Sequence, residues 1–278
     1  MRASFTVAAQ IIQVMHQRHR YKNPPIEEAI CEFHFSPGQE WDYTIPGKLH
    51  TALSEDYAGK PREQKIVQVG LETQEGKSPN LRYGEGLAKV QLVTKDGKRM
   101  IGVGPDVLSI HMLRPYQSSA HPDQSGWDEF YPRIHEAIEA YWKVSEPKAV
   151  IRIGLRYINK IEIPRNKAKV EDYLECAPPN VSGLPGHINN FMSRAEYNYQ
   201  DSVQLVILQG SIEISQNSLG FLLDLDVIWQ DAEPITKQDA LMKVSELRAR
   251  EREAFEAVIT DKARELFNES DRTQVTTT

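Results

Sequence analysis

In 278 residues no run approaches the ~18 consecutive apolar positions of a membrane-crossing helix, so a helical membrane protein is not expected. Cysteine is scarce. Cys31 and Cys176 lie far apart in no CxxC or Cys/His cluster, so neither a disulfide framework nor a zinc site is expected, and a reducing cytoplasm is the simplest compartment. The eight histidines show no H-x-E or H-E-x-x-H spacing. There is no phosphate-binding loop, dinucleotide fingerprint or G-x-S-x-G elbow, because Gly102-Val103-Gly104-Pro105 joins two strands instead of opening a helix. An excess of positive charge is missing as well. With 33 Lys and Arg against 39 Asp and Glu the net charge is −6, which argues against the dense phosphate neutralisation of non-specific nucleic-acid binding. These absences leave no catalytic residue, no metal site and no cofactor to name.

What is present is globular: 40% hydrophobic and 26% charged residues, in a chain long enough for one large domain or two ordinary ones. Phe5 to Met15 is fairly apolar, but Gln10 and Gln13 interrupt it and no small-residue cleavage site follows. An amphipathic helix is expected there, with translation beginning at Met1 or at Met15.

Asn23-Pro24-Pro25-Ile26 must be extended, since proline fixes its own φ and restricts the residue before it. It leads into a strand in which Cys31, Phe33 and Phe35 share one face and Glu32 and His34 the other. Thr44 to Tyr57 reads as a short helix, and Ile66–Val69 as a strand. Ala88–Val93, Met100–Val103 and Val107–Met112 form a meander whose first turn carries Asp96-Gly97, a strong hairpin signal. Ser125 is an expected N-cap for a helix through Lys143. Ala149–Ile163 is the most assertive strand, with Ile151, Ile153, Leu155 and Tyr157 on one side and Arg152, Arg156 and Lys160 on the other. A short helix at 169–175, strands at 190–199, 203–214 and 219–229, and a long helix from Pro234 to Phe267 complete the pattern.

The order strand, short helix, antiparallel strands, longer helix thus occurs twice. The expected class is α+β: two β-α-β(n)-α units, 23–147 and 148–268, forming curved antiparallel sheet with helices on one face. An N-terminal extension (1–22) and a flexible tail (269–278) flank them. The doubled order is like that of TATA-binding-protein-like saddles and helix-grip folds, an analogy that carries no function.

Three segments carry a more specific likeness: Asn23-Pro24-Pro25-Ile26-Glu27-Glu28-Ala29-Ile30-Cys31-Glu32, Arg152-Ile153-Gly154-Leu155-Arg156-Tyr157-Ile158-Asn159, and Phe255-Glu256-Ala257-Val258-Ile259-Thr260. In this order they resemble a sporadically distributed bacterial family of roughly this length, over about residues 21–268. The family carries no established activity, so the resemblance brings no catalytic residue. Its patchy distribution implies a link to mobile bacterial defence, CRISPR-associated or toxin–antitoxin-like.

Arg152 and Arg156 are four apart on a strand with Gly154 between them, hence on one face. Two guanidinium forks over a glycine can hold a phosphate or carboxylate, or can pair with acids of neighbouring strands. Asp224 and Asp226 alternate with Leu223, Leu225 and Val227 and are candidate partners, or a weak D-x-D pair for a cation or proton. Glu28 and Glu32 share a side of the first strand with His34, suited to holding an arginine or to acid–base work. The charged run Arg248–Glu253 reads as a solvated helix face.

The expected function is therefore a non-enzymatic binding or adaptor protein acting on another protein through Arg152, Arg156 and the outer face of the last helix, with a homodimer as the default assembly. The alternative is a small-molecule or nucleotide-handling enzyme with an anion pocket between sheet and helices. A membrane partner is not expected, and sequence-tolerant DNA binding on the concave face of a saddle is a third reading that the net acidity disfavours.

Overall fold

Alternation from Ile153 to Ile163 sets the layer order of the molecule. The computed structural model describes residues 18–36, 38, 40–72, 80–117, 126–164, 169–177, 190–213, 218–267 and 269–273. The expected N-terminal helix over Phe5–Met15 and the N-cap at Ser125 lie outside them. Along the described chain run β1 (Arg18–Tyr21), β2 (Ile26–Ser36), α1 (Ile45–Ala52), β3 (Arg62–Glu72), β4 (Asn80–Val93), β5 (Arg99–Gly104), β6 (Val107–Leu113) and α2 (Gly126–Ser145). They are followed by β7 (Ala149–Pro164), a single 3-10 turn (Val170–Asp172), β8 (Met192–Asn198), β9 (Val203–Glu213), β10 (Ser218–Ile235), α3 (Lys237–Val258), α4 (Asp261–Leu266) and β11 (Glu269–Thr273).

Nine strands form one open antiparallel sheet in the order β3-β4-β5-β6-β2-β7-β10-β9-β8. The chain is thus an α+β protein. The first strand of each expected unit, β2 and β7, meet at the centre in direct register, Cys31 opposite Leu155 and Phe33 opposite Ile153. One sheet therefore runs through both halves.

On β2 and β7 the residues Cys31, Phe33, Ile153, Leu155 and Tyr157 are buried on the helix side, and Leu223, Leu225 and Val227 of β10 continue the layer. Helix α2 lays Phe130, Ile134, Ala137, Ile138 and Tyr141 on it, the Tyr141 ring stacking on Phe35 at 4.7 Å. Helix α3 adds Leu241, Val244, Leu247, Ala254 and Val258. A bulge between His34 and Phe35 shifts the phase of β7, so Val150 enters the core and Ile151 is only half buried, against the simple alternation of the sequence.

The C-terminal region departs from the pattern in three ways. Pro234 lies inside β10, which runs to Ile235, instead of opening a helix; α3 starts at Lys237 because the Thr236 hydroxyl caps the Asp239 N–H at 3.2 Å. The expected single helix to Phe267 is broken at Ile259, which bridges to Leu174, and Thr260 caps α4 while its hydroxyl donates to the Asp172 carbonyl at 2.6 Å. Finally, Glu269–Thr273, read as tail, pairs antiparallel with Arg18–Tyr21. Tyr21 anchors this small ribbon, its ring edge-on to Phe255 and Phe267 and its hydroxyl donating to Glu256 at 2.9 Å.

Candidate functional site

Alternation sends the even-numbered residues of β7 from Arg152 onward, and those of β10, away from the helices, and on this second face the charged residues collect. No described helix covers it. The strands alternate in sign across the sheet: Glu28 and Glu32 on β2, Arg152, Arg156 and Lys160 on β7, Asp224 and Asp226 on β10. Arg156 grips Asp224 with both prongs, Nε to Oδ1 at 2.8 Å and Nη2 to Oδ2 at 2.5 Å. Asp224 is only 5% exposed while its arginine is 42% exposed, so the pair is anchored from below and open above. The bond to Asp224 also raises the pKa of Arg156.

Glu32 is the hub of the neighbouring group. It accepts from Lys89 Nζ at 2.7 Å and from Arg152 Nη1 at 3.3 Å, and lies 2.8 Å from His34 Nε2. Burial opposes its ionisation, but the hydrogen bonds of His34 and Lys89 override that cost and hold the carboxyl well below the usual range. Asp226, by contrast, accepts less: burial lifts its carboxyl above the ordinary value against the attraction of Arg152 and Arg156.

Toward β6 the network continues through Glu28, whose Oε1 lies 2.8 Å from His111 Nδ1, and His111 Nε2 lies 3.0 Å from Ser109 Oγ. Gly102 makes room for this chain, since a Cβ there would sit 2.5 Å from the Ser109 hydroxyl. Acid, histidine and serine are in the order of a hydrolytic relay. Ser109, however, is 1% exposed, and β6 is flanked by β5 and β2, so its backbone amides are committed to the ladders and none can receive an oxyanion. The chain ties three strands together.

The structure thus brings together all six residues singled out in the sequence, Glu28, Glu32, Arg152, Arg156, Asp224 and Asp226, on one face. It does not place the arginines between sheet and helices, where the anion pocket was expected; that layer is filled by the core, and Arg156 and Arg152 are paired with acids. Sequence reasoning missed Lys89, Ser109 and His111, although the alternation of β6, with Ile110 and Met112 inward, carried the signal for the last two. Beside Arg152, the strand ends near Gln204, Ile228, Gln230 and Asp231 line a shallow cleft of about 500 Å³ on the same sheet. Among the described residues no group of His, Cys, Asp and Glu is arranged to hold a metal ion.

The charged helix segment is only in part the solvated face expected, Ala249 and Glu253 being exposed. Arg248 and Glu251 turn inward and pair with each other, Glu251 being 3% exposed. The guanidinium lies over the rings of Tyr157 at 4.5 Å and Trp127 at 5.5 Å, and the Tyr157 hydroxyl meets that of Tyr116 at 2.9 Å. Burial pushes the Tyr116 phenol up to about 12 and raises Tyr157 and Glu251 as well.

Glu32→Gln tests the hub. Because the folded carboxyl is held below its ordinary value, ionised Glu32 stabilises the fold above about pH 4.5, where a free glutamate titrates, and that contribution is lost as the pH falls below it. The variant is expected to be about 1–3 kcal/mol less stable at neutral pH, with the deficit shrinking in acid, by urea denaturation across a pH series.

The fold and this face define an α+β protein with a nine-stranded open sheet whose side opposite the described helices carries charges paired with one another. No family model matches the chain, nor does any curated protein at a significant level. No described helix is long and apolar enough to cross a membrane.

Proposed function

We propose that this is a non-enzymatic binding or adaptor protein whose sheet face opposite the described helices is the surface another protein docks on. The observation that carries the reading is the paired lattice of Arg156, Asp224, Arg152 and Glu32, in which Arg156 is 42% exposed, Arg152 and Glu32 are partly exposed, Asp224 is buried beneath its arginine, and no described helix lies over the group. Charges held this way keep their positions without a ligand, which suits recognition of a partner with a complementary mixed-charge surface more than capture of a free anion. Mutual neutralisation also removes the net positive field that nucleic acid would need. The saddle geometry suggested by the doubled order, and a role in bacterial defence suggested by the family resemblance, belong to the same proposal.

Gly154 provides the test. A Cβ at this position would make ordinary contacts, 3.6 Å to Asp226 and 3.8 Å to Arg152, so a side chain can start there without a clash, and the longer Gly154→Leu pushes the Arg152 and Asp226 side chains aside at the centre of the face. Tagged wild-type protein recovered from its native cells is expected to carry a stoichiometric partner that Gly154→Leu loses while still folding, as a cooperative thermal melt checks. Retention of the partner by Gly154→Leu would move the docking surface off this face. Turnover of a substrate abolished by Asp224→Asn would sink the non-enzymatic reading.

A further inference from the structure

Strand β8 is the last of the sheet and pairs only with β9 among the described residues. Six of its seven residues are exposed. Large exposed hydrophobics gather there too: Met192 is 80% exposed, Tyr197 53%, and Tyr199, one residue beyond the strand end, 41%. An edge of this kind is a template for another strand.

The ladder to β9 fixes which backbone groups are free. The Ser211 N–H donates to the Phe191 carbonyl at 3.0 Å and the Tyr199 N–H to the Val203 carbonyl at 2.8 Å. Odd-numbered residues of β8 therefore spend their N–H and C=O groups on β9, and the even-numbered Met192, Arg194, Glu196 and Asn198 point theirs to the open edge. A second copy, arriving antiparallel about a two-fold axis, must set even residues against even ones, so the axis passes beside a residue and not between two. Centred on Arg194 or Glu196 it would place like charges opposite each other. Centred on Ala195 it places Arg194 opposite Glu196 of the second copy, twice, and uses all four outward residues. It also sets each Tyr197 diagonal to the small Ala195 of the other copy, with room for the ring.

We propose that two copies of this chain associate by antiparallel β8–β8 pairing about a two-fold axis at Ala195, doubling the nine-stranded sheet. In the single chain Arg194 and Glu196 pair with each other at 2.6 Å while 58% and 45% exposed; in the dimer each gains the opposite charge of the second copy. Each chain has one β8, so the contact closes at two. The pairing joins the two open faces into one surface, but it stands whether or not that face docks a partner.

The test is the solution mass of the full chain by light scattering over a dilution series. Wild type is expected to be dimeric at the concentrated end. Arg194→Glu or Glu196→Arg alone should weaken association at least about tenfold, the loss of a favourable cross-strand pair made twice, and the doubly exchanged chain should restore it. Arg194→Pro removes one outward N–H and no bond to β9, so it should give a folded monomer. Under oxidation Ala195→Cys should form an intermolecular disulfide, because facing residues at the axis approach within disulfide range, whereas Ser193→Cys and wild type should not. A wild-type chain monomeric throughout, with Ala195→Cys uncrosslinked, overturns the proposal. So does a dimer indifferent to both charge changes.

Discussion

Arg248→Met is expected to cost about 3–5 kcal/mol at neutral pH, the penalty of leaving a buried carboxylate without its partner. Glu251 is 3% exposed, and its pKa is already raised by burial in spite of Arg248. Without the guanidinium the carboxyl rises further and takes up a proton. A group whose folded pKa is raised supports the fold below its unfolded titration range and withdraws that support as the pH climbs through the folded value. The deficit of Arg248→Met should therefore shrink as the pH is lowered from neutral to mildly acidic, whereas a simple loss of packing would not change with pH. Arg248→Met combined with Glu251→Leu should recover most of the stability, since an apolar pair of similar volume carries no desolvation cost. Urea unfolding midpoints of the two variants at both pH values check the point. Equal losses at each pH would assign the effect to the stacking of Arg248 on Tyr157 and Trp127.

Phe35→Ala is expected to lose a similar ~3–5 kcal/mol, the range for deleting a buried aromatic ring. Phe35 is 1% exposed and stands where β2, β7 and α2 meet, its ring 4.7 Å from Tyr141, 5.9 Å from Trp142 and 6.2 Å from Phe33. Three aromatic neighbours fixed on rigid elements cannot collapse into the space, so the cavity term is kept in full. Phe35→Leu, which refills part of the volume, should lose clearly less. Chemical denaturation separates the two, and a loss under about 1 kcal/mol in Phe35→Ala would mean that the region repacks freely.

The sequence announced the centre of the molecule more clearly than its margins. In β7 the alternation of Ile153, Leu155 and Tyr157 with Arg152 and Arg156 gave strand, faces and the arginine pair together, and the same alternation on β10 supplied Asp224 as a partner. Asp-Gly in the turn before β5 fixed the meander. The outer half of β4 escaped, because Gly84, Glu85 and Gly86 interrupt any period of two. Glu251 escaped for the opposite reason: it stands four residues after Leu247 and three before Ala254, on the buried stripe, but the charges of Arg250, Arg252 and Glu253 around it masked the position. The break in the last helix was written in Thr260-Asp261, a capping pair overlooked because the apolar period runs on past it.

The short ribbon of β1 and β11 has a mechanical meaning. Arg18 faces Thr273 at its open end and Tyr21 faces Glu269 at its root. Tension applied through those two outer residues would peel the ribbon apart one rung after another, as a zipper opens, before any load reached the sheet. A zipper gives way at small force, and the ring of Tyr21 between Phe255 and Phe267 is its stop. Held in an optical trap by handles at residues 18 and 273, the molecule should yield first in a small, reversible extension step, and only later in the large one that unfolds the nine strands.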